Sequence, residues 1–228
     1  FILNGCNSDV DAKPFIVPLS SLSVPGFVAT GMMLVRDNPG GSLDLNGFAE
    51  TVASVSGASG SSQIVLGAGT LTVGNGSAIT FAGVISGTGN LVKQGASSLT
   101  LGGANTFSGT ATINAGTLNI QNASALGNGG ATIVSSGTAL EIQGGISVAS
   151  EPLTLNGTGI SSAGALRNIS GNNSWSGAVT LGSAARVNSD SGTLTISGAV
   201  GGGQNLTVAG AGNTTISGVI GNGSGTVT

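Results

Sequence analysis

Short hydrophobic–polar–hydrophobic triplets, each closed by glycine or asparagine, recur from Leu71 onward and constrain the fold more than any other feature. Leu71-Thr72-Val73, Leu99-Thr100-Leu101, Leu118-Asn119-Ile120, Leu140-Glu141-Ile142, Leu153-Thr154-Leu155, Leu194-Thr195-Ile196 and Leu206-Thr207-Val208 each read as a very short strand, two side chains inward and one outward. Their middle residues, with those of similar triplets between, fall at 72, 80, 92, 100, 112 and 119. Steps near 8 and near 12 alternate, and two steps sum to about 20 residues, which is a solenoid period. No window carries apolar residues at helical spacing, and each glycine inside a helix would cost about 1 kcal/mol relative to alanine. With 43 glycines in 228 residues, helix is excluded over most of the chain.

The expected fold is therefore an all-β parallel β-helix, a β-solenoid of about 20 residues per coil, with Gly and Asn corners that accept positive φ. At a strand separation of about 4.8 Å the chain would make about 11 coils and a rod about 50 Å long. Backbone hydrogen bonds then run along the axis, and equivalent residues stack in ladders. Like charges in such ladders repel, whereas Thr, Ser and Asn do not. That accounts for 13 charged residues in the whole chain without invoking an activity. Phe81, Phe107 and Trp175 are expected as packing residues of a narrow core.

Two longer echoes support repetition. Asn90-Leu91, Gly95, Leu99-Thr100-Leu101 and Gly103 return as Asn205-Leu206, Gly210, Thr214-Thr215-Ile216 and Gly218 at a constant offset of 115. Asn105-Thr106-Phe107-Ser108-Gly109 returns as Asn173-Ser174-Trp175-Ser176-Gly177.

Composition divides the chain into two parts: residues 1–40, an N-terminal cap, linker or docking segment, and residues 41–228, the repeat region. Four of the five prolines, both methionines and Cys6 lie in the first part. The uncharged stretch between Lys13 and Arg36 is long enough to raise a membrane span, but its prolines, glycines and hydroxyls favour short strands. It lies too far in, and lacks the basic start, for a signal peptide. Leu3-Asn4-Gly5-Cys6 has the outline of a lipoprotein cleavage box without an apolar leader, and Cys6 is read as an ordinary small side chain. Asn7, Asp9 and Asp11 lack the glycine and distal glutamate of a calcium loop and read as a solvated turn. Starting at Phe1 and stopping at Thr228 within a β-type pattern, the sequence is expected to be a fragment or processed product.

The stretch Leu91-Val92-Lys93-Gln94-Gly95, Leu99-Thr100-Leu101, Asn105-Thr106-Phe107-Ser108-Gly109 and Thr112-Ile113-Asn114-Ala115-Gly116-Thr117-Leu118 closely resembles the passenger-associated repeat of bacterial autotransporters. Its motif positions are Lys93, Gly95, Leu99, Leu101, Asn105, Phe107, Gly109, Ile113, Gly116 and Leu118, echoed by Asn173, Trp175 and Gly177. The resemblance implies a secreted or surface-exposed passenger, a right-handed parallel β-helix, and an outer-membrane β-barrel lying C-terminally elsewhere in the full-length protein. It carries no catalytic residues.

Functionally, a net charge of −3 with five scattered Lys and Arg excludes a nucleic-acid partner. With no histidine and one cysteine, neither the usual general base nor a zinc or iron–sulfur site is at hand, so no cofactor or metal is expected. The first reading is a non-catalytic extracellular rod, a stalk or adhesin scaffold, whose partner would be a host-surface, matrix or polysaccharide ligand. The alternative is a filament subunit that self-associates through its solenoid ends. A polysaccharide-acting enzyme is the third. It would need converging carboxylates, and the charges after Glu50 (Lys93, Glu141, Glu151, Arg167, Arg186 and Asp190) are isolated in sequence. Glu141 and Glu151 could converge on adjacent coils, but Glu141 reads better as the outward residue of an exposed strand.

Overall fold

The computed structural model describes the backbone of residues 28–34, and residues 42–57, 60–74 and 76–228. It is an all-β solenoid of parallel strands with about 8 turns of about 21 residues. The period read from the triplets holds. The turn number falls below the expected value because that division took in residues outside those described and because one turn is longer than the rest. Cys6, Asn7, Asp9 and Asp11 lie outside the described residues, as does most of segment 1–40. Its described part, Val28–Leu34, is a strand in parallel register with Glu50–Ser56. No helix among the described residues is long and apolar enough to cross a membrane.

Three stacks of strands form the wall. The first runs through Val28–Leu34, Glu50–Ser56, Thr70–Val73, Asn90–Lys93, Ala111–Ile113, Thr132–Val134 and Leu153–Gly157. The second runs through Ile79–Phe81, Ser98–Leu101, Thr117–Ile120, Ala139–Gln143 and Leu166–Ser170. The 11-residue strand Val179–Ser189 belongs to both, which fuses them into one 16-stranded sheet. The third stack is in two pieces, Ser42–Asp44, Gln63–Val65 and Val84–Ser86, then Ser147–Val148, Asn173–Trp175, Thr193–Ile196 and Asn213–Ile216.

Because a strand alternates its faces, each stack sends one column of side chains inward at constant register. On the first stack Leu71, Leu91, Ala111, Thr132, Leu153, Val179 and Val200 are paired rung by rung and all buried. On the second, Leu99, Leu118, Leu140, Leu166 and Val187 do the same. Each such aliphatic side chain contributes about 1.5–3 kcal/mol by burial, and phenylalanine fits only where a corner gives it room. Phe81, Phe107 and Trp175 are fully buried.

Glycine makes the corner between the third and first stacks. Gly69, Gly89, Gly109 and Gly130 lie directly above one another, and a Cβ on any of the last three would strike the carbonyl oxygen of the glycine below. The same holds for Gly198 on Gly177 and for Gly218 on Gly198. Here it is the close approach of backbone to backbone, not positive φ, that demands glycine. Glu151 interrupts the column: a Cβ on Gly177 would strike the Glu151 carbonyl oxygen.

The two sequence echoes differ in kind. Gly109 and Gly177 occupy the same corner column, so the 105–109 and 173–177 segments are spatially equivalent. The echo at offset 115 is not. Ser98–Leu101 belongs to the second stack, whereas Asn213–Ile216 belongs to the third. It repeats a local strand-and-turn pattern, not a place on the rod.

Candidate functional site

The motif residues of 93–118 form one self-consistent turn. Lys93 lies inward, in register between Val73 and Ile113 in an otherwise aliphatic column, and is buried. Its ammonium finds no carboxylate there. Instead Nζ donates to the carbonyl oxygens of Gln94 (2.6 Å), Gly95 (2.8 Å) and Ala115 (3.2 Å). Three charge-assisted bonds thus close the corner and tie it to the next turn. Burial pulls the Lys93 pKa down to about 8. Gly95 and Gly116 stack at this corner with φ of 73° and 68°, conformations that favour glycine. Leu99, Leu101, Ile113 and Leu118 are core residues.

Asn105 performs a second closure. It is buried, its Oδ1 accepts the Ile85 backbone N–H at 2.8 Å, and its Nδ2 donates to the Ala125 carbonyl at 2.5 Å. One side chain therefore bridges three successive turns where the third stack lacks strands. Asn173 repeats the device, with Oδ1 accepting from Ile146 N–H at 2.7 Å. Trp175 Nε1–H donates to the Glu151 carbonyl at 3.0 Å, so the indole is both packing residue and corner cover.

A different chemistry occupies the second stack beyond Thr117–Ile120. Asn119, Glu141, Arg167 and Asn188 are in lateral register on consecutive turns. Arg167 lies between two carboxylates: NH1 is 3.2 Å from Glu141 Oε1, while NH2 is 2.6 Å and Nε 2.8 Å from Asp190 Oδ2. Asn119 Nδ2 donates to Glu141 Oε2 at 3.3 Å, Asn188 Nδ2 to Asp190 Oδ1 at 2.6 Å, and Arg186 NH2 to Asn188 Oδ1 at 3.1 Å. The hydrogen bond that Arg167 donates to Asp190 and the charge of both carboxylates hold Arg167 firmly protonated against its partial burial. Among the described residues Arg186 makes no ion pair, and its buried Nε has no hydrogen-bond partner.

The ladder adjoins the one enlarged turn. Leu153 pairs with Val179 and Leu140 with Leu166, a spacing of 26 residues instead of the 19 to 23 found between paired strands of the other described turns. The extra residues form an exposed projection over 157–164 containing a short 3-10 segment, Ile160–Ser162. Gly157, Gly159, Ser161, Ser162 and Gly164 all have positive φ there. Ile160 is 39% exposed.

Glu151, the other carboxylate of this region, does not join the ladder. It is buried, and its Oε1 accepts the Thr132 hydroxyl at 2.8 Å. Burial pushes its pKa up to about 7, against the opposing hydroxyl bond. Glu141 and Glu151 therefore lie apart, Glu141 partly exposed and paired to Arg167. No group of three or more His, Cys, Asp and Glu that could hold a metal ion occurs among the described residues.

The turn that holds Lys93 and Asn105 also has known relatives. Residues 91–120 match the Passenger-associated-transport-repeat family. Those 30 residues therefore carry the repeat found in autotransporter passengers. An adhesin autotransporter, BmaC, of Brucella suis biovar 1 (strain 1330) is 36% identical over 127 residues, covering 53% of this chain and 4% of that protein. The chain thus spans a small fraction of that autotransporter's length. No solved structure matches the chain. These likenesses place it in a secreted or cell-surface setting.

Sequence reading missed the ladder, although four of its residues carry the only charges between Glu151 and Thr228 and at Glu141. Its signal was present but disguised. Asn119 to Glu141 is 22 positions, Glu141 to Arg167 is 26, and Arg167 to Asn188 is 21, so a fixed period of 20 never aligns them.

Proposed function

We propose that this chain is a non-catalytic segment of a surface-exposed β-solenoid rod that serves as the stalk or scaffold of an adhesin. The observation that carries the reading is the continuous stack of parallel turns, into which the passenger repeat of 91–120 fits as one ordinary turn closed by Lys93 and Asn105. About 8 turns at about 4.8 Å give a rod about 40 Å long. The reading also takes residues 1–40 as cap, linker or docking segment, a C-terminal outer-membrane barrel elsewhere in the full-length protein, and a host-surface, matrix or polysaccharide partner. A catalytic role lacks support from the carboxylates: Glu141 and Asp190 are both engaged by Arg167, and Glu151 is buried.

The test is to display the chain on an outer-membrane barrel and add external protease to intact cells. Surface labelling before protease and its loss afterwards supports the reading; protection in intact cells defeats it. Electron microscopy of the purified chain separates the stalk from the filament alternative, isolated short rods favouring the first and axial polymers the second.

A further inference from the structure

We propose that the ladder Asn119, Glu141, Arg167, Asn188 and Asp190, together with Arg186 and the 157–164 projection, is a lateral binding site for a neutral, hydroxyl-rich glycan chain. The proposal deepens the rod reading above and rests on it.

Three observations point to this ligand chemistry. Over Glu141, Arg167, Arg186 and Asp190 the net charge is zero, and each donor stands beside an acceptor at 2.6–3.3 Å. A polyanion would meet Glu141 and Asp190, and a polycation would meet the two guanidinium groups. A hydroxyl both donates and accepts, so vicinal hydroxyls can use a carboxylate lone pair and an adjacent guanidinium N–H together, while the buried Asn119 and Asn188 hold the carboxylates in place. Arg186 retains donor capacity at its terminal guanidinium nitrogens, which among the described residues make one hydrogen bond, to Asn188; its Nε is buried and out of a ligand's reach.

The groups are also held in place before any ligand arrives, because each is fixed by its neighbours across consecutive turns. Preorganisation lowers the entropy lost on binding. Finally, the shape fits an extended chain. The strands beneath are paired on both sides along the axis, so an incoming peptide finds no free edge to extend. The 157–164 projection stands at the border of the ladder: Ala165 N–H donates to the Arg186 carbonyl at 2.8 Å, and a Cβ on Gly164 would lie 2.8 Å from Asn188 Cβ. It supplies the exposed Ile160 as an apolar surface for the C–H face of a sugar ring.

The test is calorimetric titration of the 228-residue chain with cellohexaose, maltohexaose and xylohexaose, with a heparin dodecasaccharide and an oligolysine peptide as charged comparisons. At least one neutral hexasaccharide should bind with a Kd of about 1 mM or tighter and in preference to both charged probes. Arg186→Ala and Glu141→Ala should each weaken it about 5-fold or more. Thr207→Trp, which adds bulk in register with Arg186 and removes no ladder bond, should do the same. Thr112→Arg, outward on the first stack, should leave binding unchanged. Binding of no neutral hexasaccharide, preference for heparin or oligolysine, or equal loss in Thr112→Arg overturns the proposal. A chain that is protease-accessible on cells yet binds none of these sugars defeats the site alone and leaves the rod reading standing.

Discussion

The turn spanning 91–120 and the turns from Glu141 to Asp190 share one backbone plan but close it by different means. In the first, the inward positions are apolar except for Lys93 and Asn105, and carbonyl groups left over at the corners are satisfied by that one ammonium and that one amide. In the second, the inward column Leu101, Ile120 and Ile142 gives way to Asn168 and Ser189, both fully buried. Asn168 Nδ2 donates to Ser189 Oγ at 3.0 Å and to the Ser191 carbonyl at 2.9 Å, and its Oδ1 accepts from Asn173. Outside that polar core runs the charged ladder. A regular turn can rely on apolar stacking; an enlarged turn, whose corners no longer superpose, needs directional bonds to fix its register.

The sharpest way to break the regular turn is at its glycine corner. Gly109→Ala forces a Cβ onto the Gly89 carbonyl oxygen, which is backbone and cannot rotate away. We expect a loss of about 3 kcal/mol or more, read as a lowered midpoint in thermal or denaturant unfolding. Gly137→Ala is the control: at φ of 80° and with no atom within 4 Å of its Cβ, it should cost only the left-handed strain, about 1 kcal/mol. Equal losses at the two sites would show that the stacked backbones yield to a Cβ and that their close approach does not dictate glycine in the corner.

Next in size is the cation inside the regular turn. Lys93→Met fills the aliphatic column but leaves three carbonyl oxygens without their donor, at a cost of about 2 kcal/mol. Arg167→Ala in the enlarged turn strips Glu141 and Asp190 of their shared partner, but these groups are partly exposed and the loss should be nearer 1 kcal/mol. Raising the salt concentration separates the two. The Arg167→Ala difference should shrink, because mobile ions already screen exposed pairs, while the Lys93→Met difference should persist. A Lys93 effect that fades equally in salt would place its ammonium in solvent.

This contrast also marks what could be read from residues alone. The triplets Leu71-Thr72-Val73 through Leu206-Thr207-Val208 revealed strands and period, since alternation of burial depends only on neighbours along the chain. The motif positions Lys93 and Asn105 were recognisable, but not their inward direction: a lysine in a strand is ordinarily outward, and only the three carbonyls at the corner make its burial tolerable. The charges at Glu141, Arg167, Arg186 and Asp190 appeared solitary because the 26-residue turn shifts every later rung by five or six places. An irregularity in the coil hides exactly the contacts that it creates across turns.

The smallest expected effect joins both regions through pH. Glu151 has its pKa raised to about 7 from an unfolded value of about 4.3, so the folded state binds more protons between those values. Its stabilising contribution is complete below the unfolded value and disappears as pH rises through 7. Lys93, lowered to about 8 from about 10.4, acts in the opposite sense. The unfolded chain binds more protons between those values, so stability rises as pH climbs from 8 toward 10.4. Both groups are charged and least comfortable between about 7 and 8, and the melting temperature should therefore pass through a shallow minimum there. Melting curves at about pH 5.5, 7.5 and 9.5 measure it. Glu151→Gln should flatten only the acid limb and Lys93→Met only the basic one. If either substitution flattens both limbs, or if stability peaks near pH 7.5, the two buried charges are not the independent, locally desolvated groups that the glycine corner and the lysine corner make them.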